Sequence, residues 1–264
     1  MINLLKILIQ TFLLIPKFSI YVLYDFYKYV YERNKNSFFG WGIHLFVGKF
    51  GSSKTSTMVY YAYKLAKKYP QLTILTNIEL KNFPCWTNIE FLNSAEQILY
   101  AKENTLVLID EIATIFNSRD FATSKNAVPK ILYQHLCQCR HRKIMIYGTC
   151  QRFSLLDKQI RDISADVTTC RCFFKHPFSR FCVIKRYDID EYEKYTANSM
   201  YRMRTQSVDA YVQINHIRNM YDTRELVNNM LNKEYLDDKT ILENRAVSSS
   251  TVIPYKKKKM RGVF

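Results

Sequence analysis

The octapeptide Gly48-Lys49-Phe50-Gly51-Ser52-Ser53-Lys54-Thr55 constrains this chain more than any other stretch. It follows the apolar run Ile43-His44-Leu45-Phe46-Val47 and precedes a helical pattern, the strand–loop–helix context of a phosphate-binding loop. The chain has six glycines, and Gly40, Gly42, Gly48 and Gly51 fall close together here. A glycine-poor chain that gathers its glycines in one place needs an unusual backbone there. In such a loop, successive N–H groups and the following helix N-terminus make a concave anion site. Lys54 would then reach the β- and γ-phosphates of ATP, and the Thr55 hydroxyl would ligate Mg2+. The usual pattern is G-x-x-x-x-G-K-[ST], and Ser53 stands where the second glycine belongs. A Cβ makes positive φ and close packing against phosphate harder, although Gly51 can supply part of the lost freedom. The plainer alternative is a Gly/Ser/Lys surface loop ahead of a helix.

A second element supports the nucleotide reading. Thr105-Leu106-Val107-Leu108-Ile109 runs into Asp110-Glu111. A fully apolar run suits a buried parallel strand, and acids at its C-terminal end fall where open α/β sheets place ligands. Asp110 can hold magnesium directly or through water, and Glu111 can orient and deprotonate an attacking water. An acidic helix cap after an ordinary strand is the competing explanation.

With 264 residues and 48% hydrophobic content, the chain makes one large domain or one domain with appendages. Its formal net charge of +16 favours a polyanionic partner, nucleic acid or an anionic membrane surface, unless it reflects a lysine-rich source proteome. Seven cysteines lack the spacing of a disulfide framework. His135, Cys137, Cys139 and His141 alternate, with Cys170 and Cys172 later, and alternate spacing converges poorly on zinc. Free buried thiols are the expectation.

Residues 2–31 are rich in Ile, Leu, Phe, Tyr and Val, and Ile7–Tyr24 carries one charge, Lys17. That length meets the lower limit for a spanning helix, yet a central lysine costs roughly 2.5–3.5 kcal/mol. Two shorter pieces on either side of Pro16 could instead lie in the membrane interface, with Lys6, Lys17 and Lys28 toward head groups. A helix packed on the core or on a neighbouring subunit is the soluble alternative. If it spans, Lys28, Arg33 and Lys35 keep the following domain on the cytoplasmic side of the host membrane.

The resulting division is an apolar segment at 1–32, a nucleotide-binding domain at 33–190, a helical or irregular extension at 191–245 and a disordered basic tail at 246–264. The phosphate-loop helix is expected from about Lys54 to Tyr69, strands at Leu72–Thr76 and Lys143–Gly148, a helix near 128–141, a loop at 117–127 and a hairpin at 166–186. The tail, with Lys256–Lys259 and Arg261, could grip DNA phosphates or anionic lipid, or simply aid solubility.

Lys143–Gly148 leads to Thr149-Cys150-Gln151, which places Gln151 as a polar sensor of the γ-phosphate or attacking water. The order of phosphate loop, strand ending in Asp-Glu and strand ending in glutamine resembles the zonula-occludens-toxin-like (Zot) family, assembly ATPases of filamentous phages within the FtsK–HerA group of DNA-pumping ATPases. Leu75-Thr76-Asn77-Ile78 is similar to that family's T-N-I motif. Ile109–Ile112 with Phe116 and Ser118-Arg119 resembles its D-E and S-R segment. Arg140-His141, Gly148–Gln151 and Asp157–Arg161 resemble its R-H, T-Q and I-R segments, so the similarity covers roughly 43–190. Typical members carry their transmembrane helix after the ATPase domain, so no exoplasmic C-terminal activity is implied here.

The resemblance implies a RecA-like α/β P-loop NTPase with a parallel central sheet, here with an N-terminal apolar helical segment. It implies homo-oligomeric rings with ATP between subunits and an arginine acting in trans, for which Arg161 comes first, then Arg152 and Arg119. The function implied is a membrane-associated ATPase driving virion assembly or extrusion, with single-stranded DNA or its coat-protein complex and other phage assembly proteins as partners. A DNA-packaging or conjugative translocase is the alternative motor. A non-hydrolysing membrane scaffold is the alternative if Ser53 marks a degraded loop.

Overall fold

The computed structural model describes residues 2–32, 38–116, 130–174 and 178–222. The chain divides into two units, Met1–Ser37 and Phe38–Phe264. The expected loop at 117–127, Arg119 and the basic tail lie outside the described residues.

The first unit is one helix, α1 (Ile2–Tyr27), continuing as a π-helical turn over Lys28–Glu32. It runs through Pro16, so of the two readings the single helix is found and the two shorter pieces are not. Pro16 removes one backbone donor, and the remaining turns on either side hold the helix together. Among the described residues, no helix is long and apolar enough to cross a membrane.

The second unit begins with β1 (Gly42–Val47), α2 (Lys54–Lys68), β2 (Thr73–Thr76), β3 (Glu79–Leu80) and β4 (Asn88–Phe91). Next come α3 (Gln97–Tyr100), β5 (Thr105–Ile109), α4 (Lys130–Cys137), α5 (Cys139–Arg142) and β6 (Ile144–Cys150). The chain then forms α6 (Lys158–Asp162), β7 (Ser164–Cys172), β8 (Phe181–Asp188), α7 (Ile189–Ala197), β9 (Thr205–Val212), α8 (Asn215–Arg218) and β10 (Tyr221–Asp222). Eight strands make one sheet in the order β4-β2-β5-β6-β1-β7-β8-β9. The pairings from β4 through β7 are parallel, and β8 and β9 add antiparallel to them. The fold is therefore mixed α/β with a mostly parallel central sheet.

Alternation along the central strands explains why their sequences are apolar throughout. Ile43, Leu45 and Val47 of β1, with Val107 and Ile109 of β5, enter a core shared with Leu132 and Leu136 of α4 and Ile160 of α6. Phe46, Leu106 and Leu108 point the other way, onto Met58, Val59, Ala62 and Ala66 of α2. Both faces are covered, as parallel sheets require.

Two expectations differ from what is found. The helix near 128–141 is broken at Gln138, whose backbone (φ −95, ψ 8) leaves the helical region between α4 and α5. The boundary at 190 falls inside α7, and 191–222 supplies a sheet strand, β9, and the β10–β3 pair. The segment reads as irregular because β9 is an edge strand with most of its side chains exposed, so it lacks a clean apolar alternation.

Candidate nucleotide site

β5, β6 and β1 are parallel neighbours, so their C-terminal ends lie side by side. That single fact brings Asp110-Glu111, Gln151 and the Gly48–Thr55 loop to one edge of the sheet. The loop is started by the Gly48 N–H, which donates to the Cys150 carbonyl at 3.2 Å. A Cβ on Gly48 would fall 2.5 Å from Ser52 Oγ and 3.3 Å from the Cys170 carbonyl oxygen, so any larger residue would have to displace Ser52. A cavity of about 590 Å³ opens above this edge.

One wall is the loop itself, through Phe50, Gly51, Ser53, Lys54 and Thr55. Gly51 (φ 73) and Ser53 (φ 66) are both left-handed, so Ser53 adopts the conformation that a glycine would take at this place. For a residue with a Cβ that costs roughly 1–2 kcal/mol. The neighbours over-determine it. Ser53 Oγ lies 2.8 Å from Cys172 Sγ, and the Ser53 carbonyl accepts from the Thr57 N–H (2.9 Å) and hydroxyl (2.7 Å). Lys54 is nearly buried, at 6% exposure. Its ammonium donates to the Lys49 carbonyl at 3.2 Å and lies 5.8 Å from the Phe50 ring centre, with no carboxylate among these contacts. A buried cation on a loop of converging N–H groups is what a polyphosphate fits.

The floor is built around Asp110. Thr55 and Thr149 hydroxyls donate to its Oδ1 at 2.8 and 2.6 Å. Asn77 clamps its peptide from both sides, donating to the Asp110 carbonyl (3.0 Å) and accepting from its N–H (2.8 Å). The Thr149 oxygen also accepts the Glu111 N–H at 2.9 Å. Thr55 and Asp110 are thus the pair that could hold Mg2+, which binds through few protein ligands and keeps waters and phosphate oxygens for the rest. Glu111 sits in the left-handed region (φ 53), which turns its side chain out of the strand direction. Burial raises its carboxyl pKa, with the Asp110 charge adding to the effect and the Gln151 hydrogen bond and Lys54 opposing it. Gln151 Nε2 donates to Glu111 Oε1 at 3.3 Å, so the expected sensor and the expected base touch.

Arg161 is not brought to this cavity. It pairs with Glu193 at 3.2 Å and stacks over Phe153, with its carbon centre 5.1 Å from the ring centre. Arg152 follows Gln151 but is not among the cavity residues. The remaining wall comes from Ser179, Gln213, Arg218 and Tyr221, none of which carried a sequence signal. Asn77 and Thr149 stood inside recognisable motifs, but their role as holders of Asp110 could not be read from the chain. Among the described residues no group of three His, Cys, Asp or Glu side chains could hold a metal, and all seven cysteines are free thiols. Burial pushes the Cys139 thiol up to about 12, which suits an inert core residue.

Comparison with curated proteins found no match. Among solved structures, the N-terminal domain of zonular occludens toxin from Neisseria meningitidis is similar at 17% identity and a TM-score of 0.47, over 69% of this chain and 100% of that one. A genome packaging NTPase from Sulfolobus turreted icosahedral virus 2, in complex with AMPPCP, aligns at 14% identity and a TM-score of 0.42, over 66% and 98%. The flagellar accessory protein FlaH from Methanocaldococcus jannaschii aligns at 10% identity and a TM-score of 0.38, over 56% and 77%. The profile of the family described as Zonular occludens toxin (Zot) matches residues 42–212, from the first residue of β1 to the last of β9, and the chain belongs to that family.

Proposed function

We propose that this protein is a P-loop ATPase that couples ATP hydrolysis to assembly or extrusion of a filamentous-type phage at the host membrane. The observation that carries the reading is the convergence of the buried Lys54 with the Thr55–Asp110–Thr149 hydrogen bonds and the Glu111–Gln151 contact around one cavity. The loop amides and Lys54 bind the β- and γ-phosphates. Thr55 and Asp110 hold Mg2+, which when bound neutralises phosphate charge. Glu111, with its pKa raised by burial, accepts the proton of a water that Gln151 helps to orient. Ser53 does not argue against this chemistry, because its backbone already has the left-handed form that the missing glycine would supply.

Family membership supports a phage assembly role. The partners proposed are further copies of the chain in a ring, single-stranded DNA or its coat-protein complex, and other phage assembly proteins. The apolar composition of residues 2–31 and the net charge of +16 support an interfacial attachment to an anionic membrane.

The test is Mg2+-dependent ATP turnover by the full chain in detergent, wild type beside Glu111→Gln and Lys54→Ala, with and without single-stranded DNA. Turnover lost in both variants is expected. DNA stimulation that persists in a detergent-free sample would favour the packaging or conjugative motor instead. Tight ATP binding without turnover in the wild type would overturn the motor and leave a nucleotide-binding scaffold.

A further inference from the structure

The segment after the family match ends supplies a second wall to the nucleotide site. Residues 42–212 carry the Zot profile, and Gln213 to Tyr221 lie beyond it. Yet Gln213, Arg218 and Tyr221 line the same cavity as Lys54 and Asp110. The geometry points to Arg218 as a phosphate-contacting residue supplied in cis, on a cap formed by α8 and β10. This inference rests on the nucleotide reading of the cavity.

Three observations build it. First, hydrogen bonds orient the guanidinium: Arg218 Nε donates to Gln213 Oε1 at 3.3 Å, and one terminal nitrogen donates to the Ser179 carbonyl at 3.2 Å. An oriented, planar, permanently charged fork is suited to phosphate oxygens. Second, the cap is tied to the phosphate loop. Gln213 Nε2 donates to Cys182 Sγ (3.0 Å), Cys182 Sγ lies 3.0 Å from Cys172 Sγ, and Cys172 Sγ lies 2.8 Å from Ser53 Oγ. The one loop residue that departs from the usual motif is thereby connected to the cap. Third, the cap is tied to the acid side. Tyr221 pairs with Leu80 in the β10–β3 ribbon, and the Lys81 N–H donates to the Met220 carbonyl at 2.6 Å, just beyond the Asn77 clamp. Tyr221 lines the same cavity as Asp110 and Arg218.

Arg218 would therefore meet the polyphosphate of a nucleoside di- or triphosphate across the cavity from Lys54. A contact made alike in ground and transition states changes affinity and leaves the chemical step unaltered. Arg218→Gln should weaken Mg-ADP and Mg-ATP binding by about 10- to 100-fold, the range of a hydrogen bond to a charged group, and raise KM with kcat within about threefold of wild type. Arg218→Lys, which keeps the charge and loses the fork, should bind between the two. A purely structural Arg218 would lower Tm in both variants and leave the dissociation constants at wild-type values, and that result overturns the proposal.

Hydrogen exchange on the unmodified protein gives a reading that does not depend on variant folding. Mg-ADP should slow exchange both in the 48–55 loop and in 213–222. Protection of the loop with none at 213–222 sinks the cap and keeps the nucleotide site. No protection at either place sinks the nucleotide site itself.

Discussion

The two sides of the cavity formed by the phosphate loop and by the Asp110 floor are held in different ways. Asp110 is fixed by four hydrogen bonds from three side chains, Thr55, Asn77 and Thr149, all short and all from well-buried or half-buried groups. The loop opposite keeps its shape through two left-handed residues, one of them not a glycine, and through a hydroxyl–thiol contact at Ser53. Oxygen and nitrogen partners in a buried network fix geometry strongly, whereas a thiol is a weak donor and acceptor. The acid side is thus set before any nucleotide arrives. The loop is where binding would be felt, and Phe50 at its tip is 80% exposed.

The sharpest break in this comparison is Lys54→Ala. Removing a positioned charge that meets developing negative charge should cost about 10²- to 10³-fold in turnover, measured as steady-state ATP hydrolysis. Unchanged turnover would mean that the loop side is dispensable. Next is Thr149→Val, which keeps the shape and removes the bonds to Asp110 and to the Glu111 N–H. A partly buried amide left unpaired costs up to about 1–3 kcal/mol, so a lowered Tm and a roughly tenfold fall in kcat are expected, the latter read in single-turnover experiments.

Substitutions at Ser53 probe the softer side. Because its backbone is already left-handed, Ser53→Gly should leave kcat within about threefold of wild type, as relief of about 1–2 kcal/mol of strain is offset by glycine's entropy cost of roughly 0.5–1 kcal/mol and the lost thiol contact. Ser53→Val should weaken ATP binding measurably in calorimetry, since a β-branched residue suits that conformation least. A large gain in Ser53→Gly would show that the serine acts as a brake.

The smallest effect concerns Glu111. Burial makes its ionised form costly, so the folded state holds the proton more tightly than the unfolded chain does. Stability therefore falls as pH rises from the ordinary carboxylate range through the raised value. Glu111→Gln should raise the Tm of the nucleotide-free protein modestly at neutral pH, and the difference from wild type should vanish below the unfolded-chain pKa. A thermal-shift series across pH reads this directly.

The sequence made the phosphate loop, the acid-tipped strand and the Gln151 position legible because each is a local pattern at the end of an apolar run. It also exposed Asn77 and Thr149 as members of motifs. Their task was hidden because it depends on which strands are neighbours: β2 and β6 flank β5, and only that order turns both residues toward Asp110. Arg161, which the resemblance implied for a neighbouring subunit's site rather than its own, lies on α6 and pairs with Glu193 on α7. Arg218 was illegible for a different reason. It sits on the four-residue helix α8 in a polar stretch, and its place in the cavity is set by the β10–β3 pairing across more than a hundred residues.

The sheet order also bears on how the chain acquires its shape. β1, the strand that launches the phosphate loop, pairs with β6 and β7, so its neighbours are about a hundred residues further along. Contacts of such high sequence separation must close long loops before they are rewarded, which slows folding. During synthesis the loop is complete early as a sequence, but its strand has no sheet partner until β6 and β7 have emerged. Nucleotide can therefore stabilise only a nearly finished domain. Until then the apolar β1 and β5 runs are exposed to mispairing, and the interval between translating β5 and translating β7 is when this protein would depend most on chaperones.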